Sequence, residues 1–318
     1  MKPIKNNFKY ITMNKKTFLF ASALAMSLTL ASCSQEADVV QEKEQKTVLQ
    51  YESVDELTRQ LKEFDSQFAP RKMPMFSAVD KKKKLNWLDW LKIGLADVKG
   101  AISGFKECGW SGASMSAAVS SLEKYIEIYV SKNVEKEKKE MNLGLSIVSN
   151  NSTPTFNDSV GYYHNLSEEF IYDKYGNAAY DRSMKYMLMD ANAFLRNKSY
   201  TCRKEKPITF RTYDTLSRTL EALKGIPDDS SVDFFDYCRS VKAIEPRDSS
   251  LVDFAAEYLY TCVCSNVGDM KEYTNNVLRQ IDGSNSDSYV KGMLTASILV
   301  GYSSLMYSAQ IECKEIEK

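Results

Sequence analysis

Apolar positions along this chain recur mostly at steps of three and four, the period of an α-helix. Ser53-Val-Asp-Glu56 has the form of a capping box. Val54, Leu57, Leu61, Phe64 and Phe68 follow on one face, which predicts an amphipathic helix closed by Pro70. Asp214 is placed to cap a helix carrying Leu216, Leu220 and Leu223, ended by Gly225 and Pro227. Leu251, Phe254, Tyr258 and Cys262 mark another, and residues 158–175, 178–197 and 267–281 read as further helices. Period-two alternation is scarce, with Lys206 to Arg211 as one short strand candidate. The predicted class is mainly α, an irregular multi-helix bundle. Asn150 to Pro154 would either separate two lobes, 51–150 and 155–318, or form one surface loop.

Two stripes run through residues 85–121. Leu88, Leu91, Leu95, Val98, Ile102 and Phe105 form an apolar one. Ala96, Gly100, Gly104, Cys108, Gly112, Ser116 and Ser120 form a second, small at every fourth position, and it shares its side with Asp89, Asp97 and Glu107. Glycine inside a helix costs about 1 kcal/mol relative to alanine, so a run in register implies close approach of another backbone. One reading is a helix, or a helix pair broken near Gly109, packed tightly inside the bundle; another is an interface between chains. A third is a membrane-active segment, 81–121, because Lys81 to Lys84, then Trp87 and Trp90, precede the glycine-rich helix. In composition that order resembles some antimicrobial and bacteriocin-like peptides. The last helix raises a related question, since Gly292 to Ile311 holds 20 residues without a charge. Its many Ser and Tyr side chains dilute the apolarity and favour a buried C-terminal helix over a membrane span.

Composition matters chiefly through the leader. The 318 residues carry 42 basic and 42 acidic groups, but the first 33 hold five lysines and no acid. Without that segment 37 basic groups face 42 acidic ones, a charge near −5, which with one histidine argues against nucleic acid as a partner. Lys15 and Lys16 precede an uncharged stretch, Phe18 to Leu30, that ends in Leu30-Ala31-Ser32-Cys33. This resembles the lipobox of bacterial lipoproteins, with Ser34 similar to the pattern of outer-membrane members in Gram-negative bacteria. Ser34-Gln35-Glu36-Ala37-Asp38 also resembles acidic export signals for the cell surface. The resemblance implies 13–32 as a signal peptide started at Met13, and 1–12 as an upstream extension. It implies lipidation of Cys33, 33–50 as anchor and polar tether, and an α-helical ectodomain over 51–318, on the surface or the periplasmic face.

Candidate chemistry is sparse. His164 is alone, so one chain cannot build a two-histidine metal site, and no phosphate loop, dinucleotide fingerprint or nucleophile elbow is present. Neither a metal nor a cofactor is therefore expected. His164 and Glu168 lie one turn apart and could act as base and orienter. Cys108-Gly109-Trp110 slightly resembles papain-like sites, and Cys108 with His164 would suffice for a thiol-hydrolase dyad. Six cysteines follow Cys33, leaving disulfides open. Asp228 and Asp229 are expected to start a helix rather than bind calcium. The expectation is a lipid-anchored, non-enzymatic envelope protein that binds an unidentified protein or glycan, with membrane activity and cysteine hydrolysis as alternatives.

Overall fold

A computed structural model describes residues 54–66, 87–131, 159–200, 208–224, 226, 234–265 and 267–316. The leader, Cys33, the tether, Lys81 to Lys84, residues 150–154, Asp228 and Asp229 lie outside the described residues, as do Pro70, Gly225 and Pro227. The described elements are helical: α1 (54–66), α2 (Trp87–Ser131), α3 (Val160–Tyr175), α4 (Met184–Asn197), α5 (Phe210–Lys224), α6 (Phe234–Ile244), α7 (Ser249–Cys264), α8 (Val267–Gly283) and α9 (Ser288–Ile316). Residues Tyr51–Lys318 form one compact unit. It is a multi-helix bundle built around α2 and α9, with α3, α4, α5 and α7 also packed on α2.

The 45-residue α2 is two helices, not one. Gly109 takes φ 68° and ψ −146°, a region that glycine alone enters without strain, and the chain turns back on itself there. The pairs across the turn prove an antiparallel hairpin. A Cβ on Gly100 would sit 2.7 Å from the Ser116 carbonyl, and one on Gly104 would collide with the Gly112 carbonyl. Farther out, the rings of Trp90 and Tyr125 stand 6.4 Å apart. Each pair straddles residue 108 almost symmetrically. The small-residue stripe is therefore the seam between the limbs, 87–108 and 110–131, where missing side chains let two backbones touch.

The charge-poor α9 is the buried C-terminal helix. Ala296, Ile298, Val300 and Ser297 are all closed to solvent although they point in different directions around its axis. Gly292 faces the Phe105 ring, and Gly161 of α3 leaves room for Ser303 and the Leu299 carbonyl. No described helix is long and apolar enough to cross a membrane. Asp65 of α1 accepts hydrogen bonds from Thr261 (2.8 Å) on α7 and Tyr273 (2.7 Å) on α8.

Three local expectations change. The strand candidate at 206–211 contributes Phe210 and Arg211 to the first turn of α5. Thr209 and Thr212 cap that helix reciprocally, each hydroxyl accepting from the other's backbone N–H at 3.3 Å, so Asp214 is not the cap. Asp214 instead pairs with Lys185 at 2.5 Å. The alternation that suggested a strand is accidental, because Phe210 is 63% exposed rather than packed on a sheet. The helix expected over 178–197 begins only at Met184. Before it, Gly176, at φ 55°, ends α3, and residues Gly176–Asp181 form a 3-10 turn.

Candidate functional site

Charged side chains converge on the first limb of α2, in the interior of the bundle. Lys92, Lys99 and Lys106 are seven residues apart, so they lie along one stripe facing α6 and α7. Asp97 points the opposite way, toward α3. Lys99 and Lys106 share one carboxylate between α6 and α7, whereas Asp97 meets α3.

Asp97 Oδ1 lies 2.7 Å from His164 Nε2, and Asn165 Oδ1 lies 2.7 Å from His164 Nδ1. Asn165 Nδ2 donates to the Ser303 carbonyl at 3.1 Å, which turns the amide oxygen toward the ring. Both ring nitrogens therefore donate, the pattern of an imidazolium. Burial opposes that charge, but Asp97, with Glu168 and Asn165, outweighs it and raises the His164 pKa above its ordinary value. His164 and Asp97 are wholly buried, and Asp97 Oδ2 has no hydrogen-bond partner. The network clamps α2, α3 and α9 together.

Lys99 is 1% exposed and reaches Asp248 Oδ2 at 2.6 Å as well as Glu245; Lys106 meets Asp248 Oδ1 at 2.8 Å. Asp248 is the residue before α7, yet its carboxylate is spent on the lysines rather than on a capping bond. Burial pushes its pKa up, but Glu245 and the two lysines hold it at about 2. The ammonium groups of Lys92 and Lys124 stand 5.6 and 5.2 Å from the centre of the Tyr237 ring. Beside them Glu123 is pushed to about 7 by burial, against the pull of Lys224 3.1 Å away.

A carboxyl near neutrality in a cleft is the kind of group active sites tune. Here the cleft between the hairpin, α5 and α6 has a free interior of about 10 Å³, room for one water. Glu123 therefore faces a space the size of one water. A second groove, of about 360 Å³, lies between α1 and the end of α8, within the range of small-molecule sites.

The residues singled out in the sequence are dispersed among these features. His164 and Glu168 share a face, and both are buried; Glu168 adds negative charge near the ring. Cys108 is buried at the closed end of the hairpin, eleven residues beyond the Asp97 that holds His164. That is about 16 Å of helix, and both nitrogens of the ring are engaged elsewhere. The structure therefore does not bring Cys108 and His164 together. Burial pushes the Cys262 thiol well above its ordinary pKa. Sequence reasoning missed Lys99, Asp248, Glu123 and Gln280. The seven-residue lysine spacing was the available signal for the first; the others depend on partners far along the chain. No family model, curated protein or solved structure matches this chain.

Proposed function

We propose that this is a lipid-anchored protein of the bacterial outer membrane whose helical ectodomain binds a partner rather than catalysing a reaction. The anchoring half rests on Leu30-Ala31-Ser32-Cys33 and the lysine-led apolar stretch before it. The binding half is supported by one contrast. The buried charged groups are consumed in holding helices together, and the cleft beside Glu123 has room for one water, whereas ligand-sized space opens where three amides and one Arg59-paired carboxylate, Glu56, line it. Cys33→Ala is expected to release the protein from the membrane fraction and to abolish acyl labelling; retention with unchanged labelling would defeat the anchoring. Protease shaving of intact cells, beside a lysed sample, then assigns the ectodomain to the surface or the periplasmic side.

A further inference from the structure

The groove between α1 and α8 has an unusual chemical lining. α1 contributes Leu57 and Gln60, α8 contributes Gln280 and Gly283, and the following turn contributes Asn285. Its one acid, Glu56, is committed to Arg59 through two bonds of 2.6 and 2.8 Å, so among the described residues no unpaired cation or anion lines the space. Ser284 is committed too, donating to the Ile281 carbonyl at 2.8 Å. Three primary amides remain. Gln60 spends one N–H on Glu56, and Gln280 Oε1 is buried with no hydrogen-bond partner. A buried carbonyl left without a donor costs about 1–3 kcal/mol, and turning the flexible Gln280 amide out toward a donor in the groove recovers that loss.

These features select among ligand classes. With no unpaired cation, a phosphate or carboxylate gains nothing here. Leu57 is 2% exposed and is the sole large apolar side chain lining the groove among the described residues, so a lipid tail or an apolar peptide anchor finds little to pack against there. Amides donate and accept at nearly the same place. Their best complement is a neutral ligand dense in groups that also do both, and hydroxyls meet that description. We propose that the α1–α8 groove is a binding site for a neutral saccharide unit, its hydroxyls bridging Gln60, Gln280 and Asn285. The inference rests on the proposal that the ectodomain is a binding protein, and it names the ligand class.

Gly283 supplies a clean test. A Cβ there meets nothing within 4 Å and its φ is not left-handed, so a large side chain can be added without strain and will project beside the groove. Titration of the full chain with maltose and with N,N′-diacetylchitobiose, followed by calorimetry, is expected to show saturable binding to at least one. Gly283→Trp should abolish it at an unchanged melting temperature, and Gln280→Ala should weaken it about tenfold, the scale of one hydrogen bond. Absence of binding by both sugars up to their solubility, or binding that survives Gly283→Trp, overturns the assignment. The titration does not depend on acylation of Cys33, so its failure and a failure of anchoring are separate results.

Discussion

The α2 seam and the α1–α8 groove are both polar regions between helices, and they use polarity in opposite ways. In the seam, glycines bring backbones into contact, and on another face of its first limb lysines and acids are buried against one another. Every such charge has paid desolvation and has a specific partner, so geometry there has no slack. In the groove the one carboxylate, Glu56, is paired with Arg59 within its own helix, and the amides around it are partly solvated and under-used in hydrogen bonding. The difference teaches that formal charge marks the structural part of this molecule, and neutral amides mark the part with capacity to spare.

Substitutions can break this contrast in order of severity. Gly104→Val drives a branched side chain into the Gly112 carbonyl and should cost about 4–5 kcal/mol or abolish folding, as read by urea unfolding. Asp248→Asn leaves Lys99 buried without one of its two carboxylates, the fully buried one, and should cost about 3–5 kcal/mol. The apolar pair Lys99→Met with Asp248→Leu should recover most of that, and failure to recover would mean that Asp248 matters for more than its charge.

The pH dependence sharpens the same comparison. Glu123 holds its proton to about 7 in the folded chain against an ordinary 4.5, so the folded state binds the proton more tightly. Stability from this group is present below 4.5 and is lost as pH rises through 7, by about 3 kcal/mol. Glu123→Gln should flatten the curve in that window. The His164 pKa is raised above 6.5, so its contribution is whole below 6.5 and is lost as pH climbs through the folded value. His164→Gln should therefore flatten the alkaline side while leaving the Glu123 window in place. Smallest of all, Gln60→Ala and Gly283→Trp should change stability by no more than about 0.5 kcal/mol. A large loss from either would erase the distinction between seam and groove.

Much of the bundle was legible because helix formation and helix pairing write local signals. The three-and-four spacing of Leu216, Leu220 and Leu223 recurs in the structure as one buried face of α5. The four-residue spacing from Ala96 to Ser120, interrupted by Gly109, contains both limbs of the hairpin and the turn between them. Partnerships across the bundle were not legible. His164 lies 67 residues from Asp97 and Lys99 lies 149 from Asp248, and nothing in either neighbourhood names the other. Asp97 read only as one of three acids sharing the side of the small stripe, when it is the residue that fixes the ring of His164. The α5 start was misplaced for a subtler reason: Asp is the commoner cap, but two threonines three apart satisfied the same amides first. Nor could the groove be foreseen, since Gln60 and Gln280 become neighbours only once α1 has docked against α8.

The hairpin also has a temporal meaning. Gly100 and Ser116 need close only a short loop to meet, whereas the ion pairs wait for segments far downstream. Short loops close at less entropic cost and sooner, so the two limbs of α2 should associate before α7 arrives to neutralise Lys99. During that interval the chain carries a nearly finished seam flanked by charges still in water. Mutations in the glycine seam should then slow refolding, while Lys99→Met should act mainly on the rate of unfolding. The glycines would set how quickly the molecule forms, and the buried lysine how long it lasts.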